Sequence, residues 1–317
     1  LTGMKQFSLI FFGSDQYSAI VLQALLKSDL RADGLTDIRI VTDQHTDPSP
    51  VEKLAKEHTL KVAYYPDFDH NLITGDTLGL CASFDHLIPQ AIIEKFAGNL
   101  YNLHPSLLPQ YRNVSPVQYA IALGDRETGI TLFRIAPTID DGAIISQIAE
   151  PIKADDTTPT LTSRLFALGA QLFLNAIQNN FTPTASTAIT ASTAKLTFTR
   201  RLTRDSGYIE WSALSKLLQN QPISQDETSN QLLKLRLSKI ESSGLITRLP
   251  ARQVDSWLFV INDLLRSLSP WPTVWSLVPS KKGELRITIE SVLPEITLKI
   301  AGKPKPISHR DFSKYYL

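Results

Sequence analysis

Asn102 and His104 stand two residues apart at the end of the run Leu100-Tyr101-Asn102-Leu103, whose apolar residues predict a strand that delivers His104. Alternate residues of a strand share a face, so the amide and the imidazole point to the same side. Each can donate a hydrogen bond to one oxygen. The loop that follows, Pro105-Ser106-Leu107-Leu108-Pro109, is stiffened by two prolines and carries two leucines. Two donors beside a stiff apolar loop suit an oxyanion site with a pocket for a flat ligand. Further on, Asp140 follows an apolar segment in Ile139-Asp140-Asp141-Gly142-Ala143-Ile144-Ile145, where Gly142 allows a tight turn. A carboxylate there could orient His104 and keep it available as an acid. Sequence spacing alone does not bring Asp140 to His104, and Asp141 competes for the role.

Other residues invite chemistry and lose on inspection. Ser106 lacks the Gly-x-Ser-x-Gly surround of a nucleophile elbow. Gly13 is followed by no Gly-x-Gly-x-x-Gly, which excludes dinucleotide binding. Asp85 and His86 form a tempting acid–base pair that reads equally as a solvated turn. Arg112 divides evenly between an anion contact and a surface ion pair. His309 and Arg310 read as surface residues. Cys81 is the single cysteine, so no internal disulfide can form and a cysteine-based metal site is excluded; a reducing cytoplasm fits.

The elements that must position Asn102, His104 and Asp140 alternate in type. Strands are predicted at Phe7–Phe12, Ile38–Thr42, Val62–Tyr65, Leu78–Ser83 and Leu100–Leu103. Helices are predicted at Ile20–Lys27, from Ser49 as N-cap with Pro50 and Glu52 in the first turn, at Pro89–Phe96 and at Thr160–Gln178. That alternation predicts an α/β, Rossmann-like domain with a parallel-rich sheet. Ligands of such sheets bind beyond the carboxyl ends of the strands, where the loops starting at Gly13, Ser83 and His104 should meet. The stretch from Thr182 to Thr199, rich in Thr, Ser and Ala, reads as a linker. Beyond it, Trp257–Leu268 reads as a helix, and short alternating runs at Leu285–Ile289 and Ile296–Ile300 predict a small β-rich domain. The expected boundaries are 1–183, a linker at 184–204, and 205–317.

With 317 residues, two domains are expected. Charged residues make up 20% and hydrophobic residues 43%, the range of a globular protein. No apolar run approaches the roughly 20 residues needed to span a bilayer. Met4 is read as the start, and no signal-peptide pattern precedes it. Net charge is +1, yet from Lys195 onward there are 19 Lys and Arg against 11 Asp and Glu. A basic second half hints at a nucleic-acid partner, although basic faces are often only solvated.

The run Asn102-Leu103-His104-Pro105-Ser106-Leu107-Leu108-Pro109, followed by Asp140-Asp141-Gly142, resembles the signature of the 10-formyltetrahydrofolate-dependent formyltransferases. So does Gly124-Asp125-Arg126-Glu127-Thr128-Gly129-Ile130-Thr131-Leu132. Ile209-Glu210-Trp211-Ser212 and Ser269-Pro270-Trp271-Pro272 resemble the later motifs of the members that formylate methionyl-tRNA, and Phe12-Gly13-Ser14 and Pro48-Ser49-Pro50-Val51 agree. The resemblance implies a Rossmann-like catalytic domain and an OB-like C-terminal domain. It implies Asn102, His104 and Asp140 as the catalytic trio, with Asn102 and His104 holding the developing oxyanion and Asp140 acting on His104. It implies 10-formyltetrahydrofolate as co-substrate and no metal. The folate should lie against Ser83, Phe84, Asp85, His86, Leu87, Ile88 and Pro89, against Ser106, Leu107, Leu108 and Pro109, and against the turn of Asp141, Gly142 and Ala143. Initiator methionyl-tRNA is the implied partner, for translation initiation, with a monomer in the cytoplasm and no membrane. Arg200, Arg201 and Arg204 are candidate tRNA contacts.

Three departures bear on the substrate. Tyr-Arg-Gly is common among relatives, but Asn113 stands at the glycine. The loop Thr42–Pro48 is short and has no Lys or Arg, where tRNA-formylating relatives carry a long basic one. An inserted segment near 219–254 carries Lys234, Arg236 and Lys239, which could replace lost tRNA contacts. The short loop favours an alternative, a nucleotide-amino-sugar N-formyltransferase. Glycinamide ribonucleotide transformylation fits less well, because that enzyme lacks a second domain. A third reading, a non-catalytic RNA-binding scaffold, is opposed by the intact trio.

Overall fold

The computed structural model describes residues 6–183, 197–242, 257–280, 283–293 and 295–317. The chain divides into two units that interleave in sequence. One comprises Leu1–Asn113, Glu127–Pro151 and Leu161–Thr199; the other comprises Val114–Arg126, Ile152–Thr160 and Arg200–Leu317. Contacts thus do not follow a single cut near residue 183. Most of the expected linker, and residues 243–254 of the expected insertion, lie outside the described residues.

The first unit is built on a seven-stranded sheet in the order β3-β2-β1-β4-β5-β6-β7. Its strands are β1 (Phe7–Phe12), β2 (Leu35–Thr42), β3 (Lys61–Tyr64), β4 (Thr77–Ala82), β5 (Leu100–His104), β6 (Glu127–Arg134) and β7 (Ile144–Pro151). The first five run parallel, as the alternation predicted. β6 and β7 run antiparallel and extend the sheet past β5. Both central strands, β1 and β4, are apolar along nearly their full length because the sheet is covered on two sides. The crossover helices are α1 (Gln16–Lys27), α2 (Pro50–Glu57) and α3 (Gln90–Lys95), with α5 (Thr158–Gln178) later in the chain. Ser49 caps α2 as expected, its hydroxyl accepting the Glu52 amide at 3.1 Å. On one side of β5, Tyr101 stacks on Phe181 with ring centroids 4.0 Å apart. On the other side Leu100 joins Phe12, Phe68, Cys81 and Phe96 in an apolar cluster. Each such fully buried side chain stabilises the fold by roughly 1.5–3 kcal/mol.

The second unit contains α4 (Pro116–Ala122), α6 (Trp211–Leu218), α7 (Gln231–Ser242), α8 (Trp257–Ser267) and α9 (His309–Tyr316). It also holds an antiparallel sheet of four strands among the described residues: β8 (Trp275–Ser280), β9 (Gly283–Ser291), β10 (Thr297–Ile300) and β11 (Ile307–Ser308). The predicted strands at Leu285–Ile289 and Ile296–Ile300 fall in β9 and β10. Helix α8 packs on α4, α6 and α7.

The insertion corrects one expectation. Arg236 on α7 is buried, not presented to a polyanion. Its guanidinium donates to the Leu123 carbonyl and lies 3.5 Å from the Asp263 carboxylate. Gly124, at φ +62°, leaves room for it: a Cβ there would sit 1.8 Å from Arg236 Nη1. Lys239 is likewise committed, to Asp125. A basic residue in an inserted segment was the natural choice for a tRNA contact, but the apolar packing of Leu232, Leu233 and Leu237 carries Arg236 inward with them. Removing the guanidinium leaves the Leu123 carbonyl without this partner and opens a cavity, while Asp263 keeps Arg266 at 2.7 Å. Arg236→Ala should therefore lower stability by about 2 kcal/mol in urea unfolding, whereas Lys234→Ala should stay within about 0.5 kcal/mol. Equal effects would contradict the internal role of Arg236.

Candidate functional site

The site lies within the first unit, beyond the carboxyl ends of β4 and β5. Because Tyr101 and Leu103 face α5, Asn102 and His104 project together on the opposite side, as the alternation required. Among the described residues the Asn102 side chain makes no hydrogen bond, so its amide is available to an incoming oxygen. His104 is buried, with only 5% of its surface exposed. Its Nε2 lies 2.8 Å from the Tyr111 carbonyl, a geometry that requires the ring proton to be on Nε2. Its Nδ1 faces Asp140 Oδ2 at 3.5 Å. The fold thus brings Asp140, and not Asp141, to the imidazole. Asp141 instead pairs with Arg112 at 2.5 Å.

The carboxylate of Asp140 is aimed by its backbone. Asp140 has φ +50°, in the left-handed region, and its Oδ2 accepts the Asn113 amide at 2.7 Å. Asn113 has φ +78°, a left-handed conformation that suits glycine and that Asn tolerates best among other residues. Tyr111 and Ser115 also have positive φ. Such residues cost of order 1–3 kcal/mol each and persist only where the surroundings hold them. Gly142 fixes the turn: a Cβ there would sit 1.6 Å from the Arg134 carbonyl oxygen.

The leucine-bearing loop is held from below by two residues that the sequence did not single out. The Thr131 hydroxyl donates to the Ser106 carbonyl at 2.6 Å and accepts the Leu108 amide at 3.1 Å. Gln147 donates to the Leu108 carbonyl at 3.0 Å and to Thr131 at 2.8 Å. They are cross-strand partners on β6 and β7, so their joint role became visible only with the antiparallel register. This support turns Ser106 and Leu108 inward. The Ser106 hydroxyl donates to the Gln110 carbonyl at 2.6 Å, and both residues are buried. Both side chains are turned into the protein. Leu107 packs towards Gly129 on β6, and Pro109 remains partly exposed.

The loop Ser83–Pro89 opens at the point where strand order reverses, between β1 and β4. The Ser83 hydroxyl donates to Asp15 at 2.6 Å, tying the loop to the cap of α1. Phe84, Tyr65 and His86 form an aromatic cluster, with centroids 4.7 to 5.4 Å apart. His86 also pairs with Asp43, so it is not a lone solvated turn residue. Leu87 is 75% exposed and gives the loop an apolar surface. Cys81 is buried under this face, and burial pushes its thiol pKa up, which leaves it no role as a nucleophile. Among the described residues no group of His, Cys, Asp or Glu could hold a metal.

The family model of formyl transferases matches residues 9–177, more than half of the chain and all of the site. The chain belongs to the formyl transferase family. A methionyl-tRNA formyltransferase of Corynebacterium diphtheriae is 32% identical over 218 residues, covering 64% of this chain and 70% of that protein. One from Listeria monocytogenes is 31% identical, covering 67% and 70%. In fold, the chain is similar to an N-formyltransferase of Helicobacter canadensis, with a TM-score of 0.56, 18% identity, and coverage of 96% and 99%. Within this formyltransferase the turn at Gly142 is what delivers Asp140. Gly142→Ala must displace the Arg134 carbonyl, so turnover should fall by at least about tenfold even where the protein still folds, as judged by its circular dichroism. Full turnover would show that the turn does not set the carboxylate.

Proposed function

We propose that this formyltransferase moves the formyl group of 10-formyltetrahydrofolate onto the amino group of initiator methionyl-tRNA. What carries the reading is the combination of the Asn102, His104 and Asp140 constellation with relatives near 30% identity that are methionyl-tRNA formyltransferases. Exposed Arg200, Arg201 and Arg204 at the start of the second unit's long segment support a polyanionic acceptor. The site fits the donor: the unpartnered Asn102 amide suits a formyl oxygen, and the apolar surface of Phe84, Leu87 and Ile88 suits a flat heterocycle.

The bound donor supplies a formyl carbon activated towards attack by an amine. Asn102 donates to the formyl oxygen as charge grows there. His104 keeps its Nε2 proton on the Tyr111 carbonyl, so Nδ1 is the nitrogen that moves protons. It takes the proton that the attacking amine loses and hands it to the departing nitrogen. Asp140 stabilises the ring while it is charged and keeps it oriented, as a carboxylate does beside a catalytic histidine.

The Thr42–Pro48 loop favours a second reading. It is short and lacks Lys and Arg, and Asp43 within it is bound to His86. A nucleotide-linked amino sugar is the acceptor on that reading. Purified protein given 10-formyltetrahydrofolate should convert methionyl-initiator tRNA to the formylated product, detected by mass. Asn102→Ala and His104→Ala should each lower the rate by about a hundredfold or more. Formylation of a nucleotide amino sugar alone would overturn the tRNA reading and transfer the site to the second acceptor.

A further inference from the structure

Thr197 and Thr199 run alongside the strained loop at 109–113. The Thr197 hydroxyl accepts the Tyr111 amide at 2.8 Å. The Thr197 carbonyl accepts the Arg112 amide at 2.9 Å, and the Arg112 carbonyl in turn accepts the Thr199 amide at 2.9 Å. The Thr199 hydroxyl donates to the same carbonyl at 2.8 Å. Arg112 and Phe198 form a parallel bridge. Both amides flanking Tyr111 therefore end on Thr197.

The peptide between Tyr111 and Arg112 is a planar unit whose C=O and N–H point in opposite directions. Its N–H ends on the Thr197 backbone carbonyl, and the N–H of Tyr111 itself ends on the Thr197 hydroxyl, so Tyr111 is held at both ends with its C=O 2.8 Å from His104 Nε2. Tyr111 has φ +55° with a side chain to accommodate, so the loop needs an outside hold to stay in this shape. We propose that Thr197 is a positioning residue for formyl transfer, holding the His104 ring proton on Nε2 through the carbonyl of Tyr111. Nδ1 is thereby left to face Asp140, whose carboxylate accepts its proton when the ring is charged. This rests on the role given above to His104, and Thr197 itself touches neither substrate.

Thr197→Val keeps the shape and the backbone carbonyl on Arg112 but frees the Tyr111 amide by removing the hydroxyl acceptor; Thr197→Ser keeps that acceptor. Nitrogen-15 spectra of the full chain, with His104 assigned from its loss in His104→Ala, report which ring nitrogen carries the proton. The expected result is an Nε2-protonated His104 in the native protein, a mixed population in Thr197→Val, and recovery in Thr197→Ser. With the tRNA acceptor, Thr197→Val should lower kcat about tenfold at an unchanged KM for the formyl donor, and Thr197→Ser should restore most of it. An unchanged tautomer in Thr197→Val, or equal losses in both variants, would overturn the proposal. If the native protein fails to formylate methionyl-tRNA, the acceptor assignment falls, while the spectra still decide the role of Thr197.

Discussion

A buried imidazole must have both ring nitrogens accounted for, and much of the first unit is arranged around that requirement at His104. A polar group taken out of water without a partner costs about 1–3 kcal/mol in a protein. His104 meets this demand at Nε2 with a backbone carbonyl, and its Nδ1 faces a carboxylate that accepts its proton when the ring is charged. The first partner belongs to a loop with several left-handed residues, the second to a turn that only glycine at 142 permits. Each of these local costs is repaid by fixing one ring in one orientation.

Asn102 has the opposite condition. It stands on the same face of β5, yet no side chain among the described residues takes its amide. A strand gives both residues the same direction, and the surrounding loops then satisfy one and leave the other open. On the proposed mechanism, that difference separates the proton-moving group from the oxyanion donor. The resemblance implied that both would hold the oxyanion; on the function proposed above, the engagement of His104 Nε2 by Tyr111 leaves Nδ1 for proton movement.

Much of this was legible in the residues. The parallel strands showed as apolar runs, and Ser49-Pro50 announced the start of α2. The shared face of Asn102 and His104 followed from spacing alone. β6 and β7 were not assigned, because the connection between them is the long segment that carries Asp140 and lacks a short hairpin turn. In α7, Leu233, Leu235 and Leu237 alternate as in a strand, which masked a helix whose Leu235 is exposed. Arg236 showed only as a basic residue, since the cavity made for it by Gly124 and Asp263 is formed by segments more than a hundred and nearly thirty residues away, respectively. The hold on Tyr111 by Thr197 was hidden for the same reason: it joins residues 86 positions apart.

The central claim is that Asp140 works through His104 and not by binding substrate. Asp140→Asn keeps the size of the side chain and an oxygen for the Asn113 amide, and removes the charge beside Nδ1. The direct measurement is kcat for formyl transfer in this variant alongside the dissociation constant of the folate. The account predicts a fall in kcat of about a hundredfold or more with folate affinity unchanged. A variant that kept its turnover, or that lost only folate affinity, would contradict it.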